Sequence, residues 1–405
     1  MQNEDSKNQE DAADILAVDL RRITSSEKNA LVLEELLRDE CECLRIFSDE
    51  QSDDAVIHDD NVFIVREGDD ISYLGNLIGK SNRLECLDLW HMPLNDSFRD
   101  GLAVNKSIEG IFVSSDLGYK AFRCLAPFFR NTNSLEALGV LFEFSEDTIS
   151  SESMKSFALL LSQCQIPSLK RIYLEEIELS DDEYTVFARA LNTQPQLEEL
   201  NLTNLYRNGF GDDNDSFLGH ITLGATMKNW KSPCLKVLDL ESSDVDFDLL
   251  PLLVDDDGML ALVEGMENCN NLERLNLAGN DRITEVGLRA LSSLFQSKKF
   301  LSSINLRDMN ITDGGITELA PGLASLKSLK KLDLSNNNIG DEGLQALAAA
   351  FITGMQGQCT IERLDLSFNN ISSGVRSFAA AKMSSLRRLD LQGNGAPGQW
   401  CCLYL

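Results

Sequence analysis

The chain has 405 residues, 43% of them hydrophobic and only 7% aromatic, enough to bury a sizeable core and too apolar for disorder throughout. Its 36 basic and 65 acidic residues give a net charge of −29, which speaks against nucleic acid or an anionic membrane face as a partner. No apolar run reaches the roughly 18 residues of a membrane-spanning helix, and the start MQNEDSKNQE resembles neither a secretory signal nor an Arg-rich transit peptide; a cytoplasmic or nuclear protein is expected.

In chain order, residues 1–14 read as an acidic tail. Residues 15–60 read as a helical N-terminal cap, from the spacing of Ile15, Leu16, Leu20, Leu31, Leu33, Leu36, Leu37 and Leu44, followed by an acidic loop over 48–60. Val62–Val65 is the first expected strand, and Asp70 is placed to cap a helix holding Tyr73, Leu74, Leu77 and Ile78. From residue 61 to 405 the sequence repeats itself. Leu329-Lys-Lys-Leu332-Asp-Leu334 aligns with Ile361-Glu-Arg-Leu364-Asp-Leu366 and Leu386-Arg-Arg-Leu389-Asp-Leu391. The same L-x-x-L-x-L frame recurs upstream from Leu84, Ile108, Leu135, Leu169, Leu197, Leu235, Leu272 and Leu301.

Each unit has a second half. Ile283, Ile311 and Ile339 each open an I-x-x-x-G-x-x-x-L stretch, with Gly287, Gly315 and Gly343 at the centre. Thr312, Asp313 or Asp341 can cap the helix that follows. Every unit thus reads strand, turn, helix. The paired leucines of L-x-L point to one face of a strand and the residue between them to the other. A lone unit cannot bury its apolar face, whereas stacked units can.

This pattern resembles the leucine-rich repeat family, ribonuclease-inhibitor type, over roughly residues 62–394. The resemblance implies an α/β solenoid of 11–12 repeats, a horseshoe with a parallel concave sheet and convex helices. Three features depart from the pattern: the unit Leu135-Glu-Ala-Leu138-Gly-Val140 has a weak second half, Glu183 stands where a glycine is expected, and Gly374 comes one place early. Two long spacers, 206–232 with Gly209, Gly211 and Asp212–Asp215, and 241–258 with Asp244, Asp246, Asp248 and Asp255–Asp257, are expected to protrude from strand ends. They lack the central glycine and closing glutamate of a calcium loop.

No catalytic constellation emerges. His58, His91 and His220 are not at metal spacing to one another, and no Ser or Cys nucleophile has an evident base. Gly393-x-Gly395-x-x-Gly398 matches a dinucleotide fingerprint without a helix to open. Gly75-x-x-x-Gly79-Lys80-Ser81 is one residue short of a phosphate loop. Ten dispersed cysteines suit free thiols in a reducing compartment, and Cys41-x-Cys43 lacks a second pair for zinc. The final Cys402-Leu-Tyr-Leu405 fits a prenylation box and makes lipid anchoring at Cys402 a weak alternative. No cofactor, metal or enzymatic activity is expected.

Binding is expected on the concave sheet, at the third, fifth and seventh residue of each unit. Early units present Trp90, Phe112 and Tyr173. Late units present Arg274, Arg307, Lys331, Asp333, Arg363, Asp365, Arg388 and Asp390, a basic column beside an acidic one. Aromatics and arginines are common interface anchors; alternatively the columns pair with each other and the N-terminal cap covers Trp90 and Phe112. Residues 1–70 and 206–270 are strongly acidic, which would steer a basic partner surface. The reading is a non-catalytic scaffold that binds another protein. Its alternatives are a regulator of a small GTPase, since activators of the nuclear-transport GTPase are similar in repeat type and acidity, and the sensing part of an immune or signalling receptor.

Overall fold

A computed structural model describes residues 23–24, 26–48, 61–66, 69–90, 94–114, 118–141, 151–164, 166–194, 196–207, 218–230, 233–242, 250–354, 360–372, 385–395 and 403–404. The chain divides into two compact units, residues 1–170 and 171–405. The expected tail over 1–14, the loop over 49–60, Asp212–Asp215, Asp244–Asp248, Gly374 and Cys402 lie outside the described residues.

The first unit opens with helix α1 (Glu27–Leu37), capped by the Ser26 side chain, which accepts from the Asn29 N–H. Strands β1 (Cys43–Ser48), β2 (Val62–Val65), β3 (Cys86–Trp90), β4 (Gly110–Ser114) and β5 (Ala137–Leu141) alternate thereafter with helices α2 (Ile71–Lys80), α3 (Asp96–Leu102), α4 (Gly118–Asn131) and α5 (Ser151–Gln163). The strands run parallel in the order β2-β1-β3-β4-β5. This corrects the expectation for the N-terminal segment. Leu44 belongs to a strand, not to a helical pattern, and β1 inserts between Val62–Val65 and the first leucine repeat. A period of two (Leu44, Ile46) over six residues is too short a signal to separate from helical spacing. Asn29 ties α1 to the sheet: its Oδ1 accepts from the Ile64 N–H at 3.0 Å and its Nδ2 donates to the Ile64 carbonyl at 2.6 Å. Asp70 caps α2 as expected. Helices α2 and α3 touch backbone to backbone at Gly75 and Gly101, where a Cβ on Gly101 would lie 2.3 Å from the Gly75 carbonyl carbon.

The second unit carries strands β6 (Arg171–Glu175), β7 (Glu178–Leu179), β8 (Glu199–Thr203), β9 (Tyr206–Arg207), β10 (Val237–Asp239), β11 (Leu250–Pro251), β12 (Arg274–Asn276), β13 (Ser303–Asn305), β14 (Lys331–Asp333), β15 (Arg363–Asp365), β16 (Arg388–Asp390) and β17 (Leu403–Tyr404). Helices α6 (Asp181–Ala190), α7 (Leu218–Lys228), α8 (Asp256–Met266), α9 (Glu285–Phe295), α10 (Asp313–Ser325) and α11 (Asp341–Gly354) pack in sequence against their neighbours. The main sheet runs β6-β8-β10-β12-β13-β14-β15-β16, all parallel, and β17 pairs antiparallel with β16. A small sheet, β7-β9-β11, forms from segments that follow β6, β8 and β10 in the chain. The leucines of L-x-L fill the space between sheet and helices: Leu332, Leu334, Leu364, Leu366, Leu389 and Leu391 are all buried.

Parts of both spacers lie among the described residues. The described part of 206–232 contributes β9 and α7, and 250–258 contributes β11 and the start of α8. Asp255 is the N-cap of α8, accepting from the Gly258 N–H at 2.8 Å, and Asp256 and Asp257 occupy its first turn. Acidic residues placed there complement the helix dipole. Glu183, the departure from the repeat pattern, closes a capping box with Ser180: its Oε2 accepts from the Ser180 N–H at 2.8 Å and the Ser180 hydroxyl accepts from its N–H.

Two ladders, one of asparagines in the interior and one of partly exposed aspartates, bind successive repeats. Asn280, Asn337, Asn369 and Asn394 sit eight residues into their units. Asn337 Nδ2 donates to the carbonyls of Leu306, Leu334 and Ser335, and its Oδ1 accepts from the Met309 and Ile311 N–H groups. Asn369 and Asn394 repeat the arrangement one and two units on. The other ladder starts from the first residue of a helix. Asp256 accepts from Thr284 and Gly287, Asp313 from Gly340 and Gly343, and Asp341 from Ser372. Asp341 therefore serves the next unit, and Thr312 caps α10 as expected.

Candidate functional site

The strands present their third and fifth residues on the face opposite the helices. In β13–β16 the register is unbroken: Ser303, Lys331, Arg363 and Arg388 form one row, and Asn305, Asp333, Asp365 and Asp390 the next. Adjacent strands lie about 4.8 Å apart, so three cations stand side by side next to three carboxylates. These residues line a shallow groove of about 330 Å³.

Side-chain geometry orders the acidic row. Asp333 Oδ1 accepts from the Ser335 N–H at 2.9 Å and from its hydroxyl at 2.6 Å. Asp365 holds Ser367 at the same two distances. Asp390 Oδ1 accepts from the Gln392 N–H, and its Oδ2 pairs with Arg388 Nη2 at 3.2 Å. Each aspartate thus spends one oxygen closing the turn after its strand. Among the described residues, the two columns pair at Arg388 and Asp390, within one strand. Lys331 and Arg363 have no ion-pair partner among the described residues, and neither does the second oxygen of Asp333 or Asp365.

The expectation that seventh residues also face the groove is corrected for three late repeats. Ala278, Ser335 and Ser367 are buried, because β12, β14 and β15 are three residues long and the seventh residue has turned into the loop. Arg307 occupies such a turn and stays exposed, outside the groove, and Arg274 is exposed on β12 beyond its rim. Tyr173, on β6, is half-buried; burial foremost, and then the charge of Glu199 beside it, raise its hydroxyl pKa.

In the first unit Trp90 and Phe112 lie on the corresponding face. Trp90 stacks on Phe47 with centroids 5.8 Å apart and planes at 12°. Phe112 lies across Gly139, whose absent Cβ would otherwise meet the ring at 2.3 Å. Arg45 pairs with Asp88 at 3.1 Å between them. Phe47 and Arg45 were missed by the sequence reading because their strand was not recognised. Among the described residues, the ring of Phe47 on the neighbouring strand covers Trp90.

Among the described residues no group of three or more His, Cys, Asp or Glu side chains is arranged to hold a metal ion, and no helix is long and apolar enough to cross a membrane. A family model described as Leucine Rich repeat matches residues 268–292, 325–348 and 357–374. The chain carries leucine-rich repeats over these segments. The matched segments fall on the β12 to β15 stretch, where strand, asparagine turn and helix recur most regularly. No curated protein matches the chain. Among solved structures it is similar to TLR13 in a complex with the single-stranded RNA ssRNA13 (18% identity, 78% of this chain and 37% of that one, TM-score 0.43). It is also similar to actin-binding site 2 of leiomodin-1 (19%, 35% and 79%, 0.29) and to a protein from Bacteroides fragilis (13%, 65% and 67%, 0.35). The chain spans 37% of the length of the TLR13 chain it matches.

Proposed function

We propose that this protein is a non-catalytic interaction scaffold that seats a partner protein on the open face of β13–β16. Leucine-rich repeats serve broadly in protein interaction, and the reading extends that role to one surface. The observation that carries it is the double charged row. Like charges directly opposite on adjacent strands are destabilising, yet Lys331, Arg363 and Arg388 stand together, as do Asp333, Asp365 and Asp390. A partner that brings carboxylates to the first row and cations to the second relieves both repulsions. The partner's cationic surface is also drawn by the chain's net charge of −29, which speeds encounter more than it strengthens the complex. The helices that follow β12, β13 and β14 support the ribonuclease-inhibitor-like type. The described cysteines, all free thiols, support a cytoplasmic setting.

The test is affinity capture from source-cell lysate with wild type and with the variant Lys331→Glu, Arg363→Glu, both checked for folding by circular dichroism. A partner retained by wild type and lost with the folded variant supports the reading. Capture of the same proteins by both sinks it and turns attention to Trp90, Phe112 and Tyr173.

A further inference from the structure

Cys43 and Cys86 occupy the first rung between β1 and β3, directly in register. Leu44 and Leu87, the next residues, are both buried, so the two cysteines share the opposite face, with Arg45 and Asp88 and then Phe47 and Trp90 on the following rungs. In-register neighbours on parallel strands have Cα atoms about 4.8 Å apart, inside the ~4.4–6.8 Å range that a disulfide accepts. Both are free thiols; Cys43 is exposed and Cys86 half-buried. Cys43 is open on its other flank because β2 begins pairing with β1 only at Arg45. Cys41, two residues before, is excluded from this face: it is buried, and its thiol donates to the Cys43 carbonyl at 3.2 Å.

We infer that Cys43 and Cys86 form an oxidant-responsive thiol pair, closing to a cross-strand disulfide on the exposed face of the first unit when a hydroperoxide is supplied. The Cys43 thiolate attacks one peroxide oxygen; an S–O bond forms, the O–O bond breaks, and the departing hydroxide takes up a proton as water. The Cys86 thiolate, its proton released to solvent, then attacks the Cys43 sulfur; the S–S bond forms, the S–O bond breaks, and hydroxide leaves as a second water. Two thiols are oxidised by two electrons in all and one hydrogen peroxide is reduced to two waters. The order of events follows from accessibility. Cys86 reacts second because burial, with Asp88 beside it, pushes its thiol up to about 12; its Sγ lies 3.5 Å from Asp88 Oδ1. Closure is therefore expected to be slow and to quicken with pH and in Asp88→Asn.

The experiment treats the full chain with hydrogen peroxide, blocks remaining thiols with iodoacetamide, and maps peptides by mass spectrometry without reduction. The expected result is a linked Cys43–Cys86 peptide pair, lighter by two hydrogens, that predominates over other pairings in the folded protein and loses that predominance in denaturing urea. Cys43→Ser is expected to abolish it, and Cys86→Ser to leave Cys43 as a sulfenic acid that dimedone traps. A Cys43 that is oxidised while Cys86 remains alkylated, or a link to Cys41 in place of Cys86, overturns the inference.

Discussion

His220 shows how one side chain can set the acid limit of a fold. It projects from α7 into the interior with 3% exposure, edge-on to Tyr184 with ring centroids 5.2 Å apart. Burial lowers its pKa to about 4, against a smaller opposing pull from Asp255. The unfolded chain then binds the proton more readily than the folded one. The stability His220 contributes is complete above the unfolded value near 6.5 and is lost as pH falls from there toward 4. At 1.36 kcal/mol for each pKa unit, the loss is on the order of 3 kcal/mol. His220→Phe is expected to flatten the dependence of Tm on pH between 6.5 and 4, and an unchanged slope would remove His220 from the account. The asparagines of the ladder act differently, because they carry no titration; Asn337 serves five backbone groups at every pH.

At the scale of the element, the clearest unexpected device is Lys298. Its Nζ is buried and donates to the carbonyls of Met266, Glu267 and Cys269 at 2.7, 3.1 and 3.2 Å. It thereby satisfies the C-terminal end of α8 from the following repeat. Lys298→Met keeps the stem but strands three carbonyls, and is expected to cost about 1–3 kcal/mol in urea unfolding; a change within error would show that water replaces the ammonium. Nothing in the sequence flags this lysine, because its partners are backbone atoms some thirty residues away. The strand positions of the late repeats were legible because Leu332, Leu364 and Leu389 recur with fixed neighbours. The groove residues Lys331, Asp333, Arg363, Asp365, Arg388 and Asp390 followed from that alternation alone. Phe47 and Arg45 were not legible: a strand outside the repeat frame offers no second copy to align. The burial of the seventh residues Ala278, Ser335 and Ser367 was not legible because strand length is set by where the asparagine turn begins, which alternation does not report.

Across the second unit, each repeat is secured chiefly to its immediate neighbours, and stability of such an array sums local and nearest-neighbour contributions. Leu332→Ala removes a side chain buried between sheet and helices, a loss of about 2–5 kcal/mol for a leucine in a core. Amide hydrogen exchange is expected to accelerate most in β13, β14 and β15 and least in β6 and β8. Equal acceleration throughout would mean that the unit opens as one cooperative body.

Where a late helix opens on an aspartate, that carboxylate points forward along the chain: Asp256 serves residues 284–287, and Asp313 serves 340–343, whereas α9 opens on Glu285 and α10 takes its cap from its own Thr312. Giver and receiver of each such contact are therefore written in different periods. A gene duplication or deletion that spans one whole period keeps the two in frame wherever its breakpoints fall. One that spans a fraction leaves a carboxylate with nothing to receive it and a helix start with nothing to offer it. The array is therefore free to lengthen or shorten by copying, in steps of one repeat, while resisting every intermediate length.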